Sequence, residues 1–115
     1  MDLETIRQHC LSFPHATENI QWGADLVFKI GGKMFAVACV EAPAAHVMSF
    51  KATPEMFEQL TERAGIVPAP YLARAKWVAL ERFDALPPAE LKRLVRTSYD
   101  LVFATLTKKL RTELS

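Results

Sequence analysis

The adjacent glycines Gly31 and Gly32 constrain the fold of this chain more than any other feature, because segments rich in strand-forming residues flank them. Two glycines supply the positive φ angles that a two-residue hairpin turn requires. The pattern therefore predicts a β-hairpin over residues 26–40 in which Ile30 pairs with Lys33. This register brings two apolar pairs face to face: Phe28 with Phe35, and Leu26 with Val37.

The two faces of the predicted hairpin differ in composition, because side chains alternate between faces along a strand. Bulky apolar residues share one face, which we expect to form a wall of the core: Leu26, Phe28, Phe35, Val37 and Cys39. The opposite, outer face receives smaller or more polar side chains: Val27, Lys29, Met34, Ala36 and Ala38. The hairpin is thus predicted to be apolar on one side and mixed on the other.

The first part of the chain predicts a helix and a third strand around this hairpin. Apolar residues spaced three to four apart predict a helix over residues 2–12, which Pro14 ends. Residues 15–23 are polar and are expected to be irregular, with Trp22 as their one large anchor. A third strand is expected over residues 46–51, after Pro43, with two side chains directed at the core: Met48 and Phe50.

The second half of the chain predicts two helices separated by extended segments. Thr53-Pro54-Glu55 is typical of a helix start, and Gly65 is expected to end this helix. Its predicted buried stripe is Phe57, Leu60 and Ala64. Residues 66–70 are expected to be extended, residues 77–81 to form a strand and residues 88–111 to form one long helix. The fold class predicted is therefore α+β, with an antiparallel sheet.

Length and composition indicate one globular domain over residues 1–115, because half of the residues are hydrophobic, 23% are charged and no linker divides the chain. The acidic N-terminus does not resemble a signal peptide, and no run approaches the roughly 18 apolar residues of a membrane span. Cys10 and Cys39 lie in apolar surroundings without CxxC spacing and are predicted to be reduced core thiols. Together these features predict a cytoplasmic protein.

Four segments of the sequence together resemble the MmcQ/YjbR family: 28–35, 65–68, Trp77 and 98–102. The resemblance implies an antiparallel sheet with helices packed on it, similar to type III secretion chaperones and to CyaY. It also implies a DNA-binding function. Many relatives carry a His-x-Asn-Lys-x-His-Trp string, whereas residues 71–77 here retain Arg74 and Trp77 but lack the histidines and the asparagine. A role that needs an imidazole at this place is therefore not expected.

The sequence contains no pattern that predicts catalysis, a cofactor or a metal. The histidines His9, His15 and His46 are scattered, and no nucleophile has a base and an orienting group at a recognisable spacing. Gly31-Gly32 lacks the Gly-Lys-Ser/Thr ending of a phosphate-binding loop. We expect solvated roles for Glu4, Glu18, Asp25 and Asp84, and structural roles for Ser98 and Tyr99.

The functional hypothesis rests on a set of cations around an aromatic residue, predicted on or beside the outer face of the hairpin: Lys29, Lys51, Arg74, Lys76 and Trp77. Cations suit a phosphate backbone and an aromatic ring suits a stacked base, so the set predicts weak binding of DNA or other nucleic acid. The alternative is purely structural: Trp77 fills the edge of the core, and the cations are ordinary solvated surface residues.

Two further functions remain open from the sequence. One is a protein-interaction or chaperone-like adaptor, or a homodimer. An exposed apolar patch on the protein would indicate this function, and its expected members are Val27, Met34, Ala36 and Val47. The other is a small-ligand-binding domain in which Trp22 or Trp77 lines a pocket.

Overall fold

The structure, a computed structural model, describes residues 1–41 and 45–115; Pro43, expected before the third strand, lies outside them. Over these residues the helices are α1 Leu3–Leu11, α2 Pro54–Thr61, α3 Pro88–Phe103 and α4 Lys108–Glu113. The strands are β1 Thr17–Gln21, β2 Asp25–Ile30, β3 Lys33–Cys39, β4 Met48–Lys51, β5 Ile66–Pro68 and β6 Trp77–Leu80. The predicted α+β class, with its antiparallel sheet and packed helices, is confirmed.

The strands form one six-stranded antiparallel sheet in the order β1-β2-β3-β4-β6-β5. Apolar residues from all four helices join the main core on one face of this sheet, among them Ile6, Leu60, Val95 and Leu110. The sheet is therefore covered by helices on one face, the inner face. The opposite, outer face is left to loops, and it is where a site can be built.

The pairing of the central hairpin differs from the predicted one because of a β-bulge. Ile30 does pair with Lys33, but the register shifts between Phe28 and Lys29, so that Phe28 lies opposite Ala36 rather than Phe35. Leu26 likewise lies opposite Ala38 rather than Val37. The extra residue of a bulge changes the face of every side chain beyond it. The corrected inner face includes Ala36 and Ala38, and the outer face receives Val37 and Cys39.

The segment predicted to be irregular contains the edge strand β1. Thr17–Gln21 pairs with β2 along its whole length, although its sequence, TENIQ, is mostly polar. An edge strand with little packing on either face does not need the apolar alternation that sequence patterns detect. Trp22, expected as an anchor, is 69% exposed at the end of this strand.

Both predicted helices of the second half are shorter than expected. α2 begins at the Thr53 cap as predicted but ends at Thr61, and Ala64 is exposed. The expected helix over 88–111 is two helices, because the chain leaves α3 after Phe103 and starts α4 with Thr107 as N-cap. Between them Leu106 turns into the core, and a Cβ added to Gly31 would lie 2.7 Å from Leu106 Cδ1.

Ser98 and Tyr99 have the structural roles predicted for them. Ser98 is fully buried on α3, where its hydroxyl accepts a hydrogen bond from the Lys51 N–H (2.9 Å) and donates one to the Phe35 carbonyl oxygen (2.6 Å). The Tyr99 hydroxyl donates to the Pro14 carbonyl oxygen at 2.7 Å. These bonds tie α3 to the sheet and to the chain that follows α1.

The two thiols differ in burial, although the sequence predicted both to lie in the core. Cys10 is buried in the main core, and this burial raises the pKa of its thiol to about 12. Cys39 is only half-buried on the outer face, where its Sγ donates to the Glu41 carbonyl oxygen at 3.1 Å. The prediction that Cys39 is a core thiol was wrong, because the bulge reverses its orientation.

None of the helices in the described part of the chain combines the length and apolar character needed to cross a membrane.

Candidate nucleic-acid interface

The outer face of the sheet carries a second, smaller apolar cluster. Trp77 and Ala79 of β6 form it together with Ala69, and partly buried residues of neighbouring elements surround them: Met34, Val37, Val67 and Leu72. This cluster lies across the sheet from the main core. It gives the loop between β5 and β6 an apolar surface on which to fold.

Residues 69–76 form a compact covering segment over this cluster. The Ala69 N–H donates to the Trp77 carbonyl oxygen (3.0 Å), the Leu72 N–H to the Ala69 carbonyl oxygen (3.1 Å) and the Trp77 N–H to the Leu72 carbonyl oxygen (3.2 Å). One turn of 3₁₀ helix over Ala73–Ala75 completes the segment. Its backbone polar groups are therefore satisfied largely within the segment, which is positioned by Trp77 and Leu72.

An open groove lies on the outer face beside the covering segment. It consists of two adjoining depressions with volumes of about 530 Å³ and 290 Å³. Both are lined by Asp25, Val37, Ser49, Pro70 and Leu72. The larger volume falls in the range of about 300–1,000 Å³ that is typical of small-ligand sites.

Two exposed aromatic side chains line the larger depression: Trp22, which is 69% exposed, and Tyr71, which is fully exposed. Both have left-handed backbones, with φ of 53° at Trp22 and 65° at Tyr71. This conformation costs a non-glycine residue about 1–2 kcal/mol, and such costs tend to cluster at functional sites. The groove is therefore lined by two aromatic rings that are not packed in the core.

Two polar side chains line both depressions of the groove, while His46 and Cys39 line only the smaller one. Asp25 begins β2 and Ser49 lies in β4, and both are only half-buried. Within residues 1–41 and 45–115, no hydrogen bond or ion pair formed by the Asp25 carboxylate or the Ser49 hydroxyl is found. Both groups can therefore serve a ligand.

Three of the five predicted site residues lie on the outer face or on the segment that covers it, although none of them is among the residues that line the groove. Lys29 is paired with Met34, a groove residue on the outer face. Lys51 follows Ser49 by two positions and so shares its face, and Lys51 Nζ donates to the Ala75 carbonyl oxygen at 3.1 Å. Arg74 is exposed on the covering segment. These cations form what we call the basic end of the groove.

The other two predicted residues do not face the groove. Trp77 is 4% exposed under the covering segment, so its indole ring is not accessible to a base. Lys76 precedes the outward-facing Trp77 and has a left-handed backbone, with φ of 67°. Its Nζ lies 5.1 Å from the centroid of the Phe57 ring in α2, on the helical side.

Sequence reasoning assigned no ligand contact to Asp25 or Tyr71 and named Trp22 only as one aromatic that could line a pocket. Trp22 and Tyr71 each adjoin a turn-forming residue, in Trp22-Gly23 and Pro70-Tyr71. An aromatic at a predicted turn is a useful indication of an exposed ring, because turns lie at the surface. No sequence pattern brings residues 22, 25 and 71 together.

Over the described residues, no group of three or more His, Cys, Asp or Glu side chains is close enough to hold a metal ion.

Comparisons with known proteins agree with the fold. The chain is similar to a crystal structure of the Deinococcus radiodurans protein DR2400, with a DUF419 domain, at 30% identity and a TM-score of 0.84, over 96% of this chain and 86% of that one. A Pseudomonas syringae protein shares the fold at 17% identity and a TM-score of 0.73, over 89% of this chain and 99% of that one. A search of curated protein sequences finds no significant match.

The family model described as YjbR matches residues 11–101, which include the hairpin, the covering segment and the Ser98-Tyr99 pair. The match extends over well more than half of the 115 residues. The resemblance suggested by the sequence is confirmed, and the chain belongs to the YjbR family.

Proposed function

We propose that this protein binds single-stranded nucleic acid in the outer-face groove, without catalysing a reaction. The observation that supports the proposal best is the pair of exposed aromatic rings, Trp22 and Tyr71, on one groove that has a basic end. The proposal also places the protein in the cytoplasm, where thiols such as Cys10 and Cys39 remain reduced.

Stacking supplies the first part of the binding energy in this proposal. An exposed aromatic ring stacks on an unpaired base with about 1–3 kcal/mol, whatever the base, because every base has a π face. A base in a duplex is already stacked and cannot lie on Trp22 or Tyr71. Single strands are therefore the expected substrates, and duplexes are expected to bind less tightly.

Phosphate contacts supply the second part. Lys29, Lys51 and Arg74 can neutralise about three phosphates, for which a slope of log K against log salt near −2 is expected on a single strand. The chain as a whole is close to neutral, with a formal net charge of +1, so long-range attraction is small. We expect non-specific affinity of about 1–100 µM at physiological salt.

The adaptor alternative has less support in the outer face. Two members of the apolar patch that would mark it, Val27 and Ala36, are fully buried. The other two, Met34 and Val47, are half-buried against neighbouring side chains. A protein partner or a second copy would therefore have to use the groove and its rings.

The test is filter binding of a labelled 12-nucleotide oligo(dT) and of a duplex of equal length, at 50–300 mM salt. We expect the single strand to bind more tightly, with a slope near −2 that becomes about −0.7 in the Lys29→Gln, Arg74→Gln double variant, because about 0.7 is lost for each of the two phosphate contacts. Lys92→Gln, Arg93→Gln is the matched control, since both residues lie on α3.

The aromatic residues are tested separately. Trp22→Ala and Tyr71→Ala should each weaken single-strand binding by about 5- to 150-fold, which corresponds to the loss of one stacked base. Ile20→Ala is the control, because Ile20 is also exposed and apolar but is absent from the groove lining. Absence of any oligonucleotide binding by the wild type at 50 mM salt would overturn the proposed function.

A further inference from the structure

Asp25 is the one acidic side chain that lines both depressions of the groove. It lies on the same face of β2 as Lys29, four residues away, so the two are separated by about 13 Å along the strand. The groove thus has an acidic group in the part shared by its two depressions and cations at its basic end. A ligand that suits it carries negative charge near Lys29 and hydrogen-bond donors near Asp25.

The surroundings of Asp25 restrict the donors further. Val37, Pro70 and Leu72 make much of the shared lining apolar, so a bound ligand would shield the carboxylate from water. A shielded carboxylate needs hydrogen bonds to both oxygens, and when ionised it only accepts them. The ligand edge that fits presents two adjacent N–H groups, which a carboxylate binds in bidentate fashion.

Guanine is the base that offers this edge. Its Watson–Crick side presents the N1–H and the N2 amino group next to each other, whereas adenine and cytosine present one amino group beside an acceptor nitrogen. Thymine and uracil present one N–H between two carbonyl oxygens, which a carboxylate repels. Ser49, which lines the same groove, has a hydroxyl that can donate to guanine O6.

We propose that the groove selects guanine, with the base bordered by Trp22 and Tyr71, its Watson–Crick edge on Asp25 and its phosphates directed to the basic end. This inference rests on the proposed function, to which it adds a base preference. Stacking on the two rings alone would hold any single strand. Asp25 makes the affinity depend on the base, in favour of guanine.

The experiment compares 12-nucleotide oligo(dT) strands that carry one central dG, dA, dC or deoxyinosine, by filter binding at 50 mM salt. A single guanine avoids the association of G-rich strands. We expect the dG strand to bind about 5- to 150-fold more tightly than the others, the range of one good bidentate contact to a base. Deoxyinosine lacks the N2 amino group and is expected to lose most of this gain.

Asp25→Asn tests the residue, because it keeps the shape of the side chain but replaces one acceptor by a donor. The variant should bind dG and dT strands equally within about twofold, and it should bind oligo(dT) at least as tightly as the wild type, because the carboxylate that repels the thymine carbonyl oxygens is gone. Glu41→Gln is the control for loss of one negative charge, since Glu41 is exposed and absent from the groove lining. The deoxyinosine comparison uses wild-type protein and does not depend on how the variant folds.

The outcomes separate the two proposals. Equal wild-type binding of all four strands, or a dG preference that survives in Asp25→Asn, overturns the guanine selection and leaves single-strand binding in place. Binding of guanosine monophosphate, measured by calorimetry, without binding of any oligonucleotide supports the guanine pocket and overturns the nucleic-acid function. Absence of binding to both the mononucleotide and the strands overturns both.

Discussion

The Ser98→Ala variant tests how the helices are joined to the sheet. Pairing of β3 with β4 ends at Ala36 and Phe50, and one residue further the Ser98 hydroxyl bridges the Lys51 N–H and the Phe35 carbonyl oxygen. Phe35 is the extra residue at the bulge, so its backbone is left without a regular partner in the sheet. The hydroxyl supplies the missing connection.

The magnitude follows from the two groups that alanine would leave without a partner. An unsatisfied buried polar group costs about 1–3 kcal/mol. The bond to Phe35 is fully buried and the bond to Lys51 is partly buried, so we place the first near 2 kcal/mol and the second near 1 kcal/mol. The expected loss of unfolding free energy is about 2–4 kcal/mol, a large part of the roughly 5–15 kcal/mol that stabilises an ordinary domain.

Urea denaturation followed by far-ultraviolet circular dichroism measures this loss. The midpoint should fall while the slope of free energy against urea stays constant, because the surface exposed on unfolding is unchanged. Thr97→Ala is the matched control: Thr97 neighbours Ser98, but its hydroxyl donates to the Arg93 carbonyl oxygen on the exposed side of α3, and we expect a change within about 0.5 kcal/mol. A Ser98→Ala protein as stable as the control would refute the bridging role.

Three further predictions concern the turn, the thiols and Tyr99. Gly32→Val should lower the melting temperature, because φ is 82° at Gly32 and a β-branched residue resists positive φ; Gly32→Asn should be tolerated better, and equal melting temperatures would contradict this reason. Cys39 should be alkylated at neutral pH much faster than Cys10, whose pKa burial raises to about 12, as mass spectrometry of timed samples would show; equal rates would count against the assigned burial. Tyr99→Phe, which removes the bond to Pro14, should cost about 1 kcal/mol in urea denaturation, and an unchanged midpoint would argue that the bond is worth nothing.

Local chemistry explains which parts of the fold could be predicted. The Gly31-Gly32 turn, the Thr53 cap and the pairing of Ile30 with Lys33 depend on a few neighbouring residues, and all agree with the structure. The buried Met48 and Phe50 followed from apolar alternation, and β6 lies where a strand was expected over residues 77–81. These features depend on the conformational preferences of neighbouring residues, which can be inferred directly from the sequence.

The features that were missed depend on contacts between distant parts of the chain. The bulge at Phe35 is stabilised by Ser98, 63 residues away, and alternation alone cannot reveal it. Strand β1 exists because β2 offers it a partner. The break after α3 allows Leu106 to lie against Gly31.

The candidate site was predictable only in its location. Strand alternation predicts Lys29 and Lys51 on the outer sheet face, whereas Arg74 lies outside the strands and is indicated only by its charge. Burial of Trp77 depends on the covering segment folding back over it, and the contact of Lys76 with Phe57 depends on the packing of α2 near this segment. The convergence of Trp22, Asp25 and Tyr71 requires the folded sheet.

The placement of the two tryptophans gives the protein a pair of intrinsic optical reporters. Trp22 is exposed on the groove and should emit at long wavelength, whereas Trp77 is 4% exposed and should emit to the blue. Occupancy of the groove would therefore quench the red part of the emission, and loss of the native state would shift the blue part. Recognition and folding can thus be followed in one unlabelled sample, with Trp22→Phe and Trp77→Phe to assign the two bands.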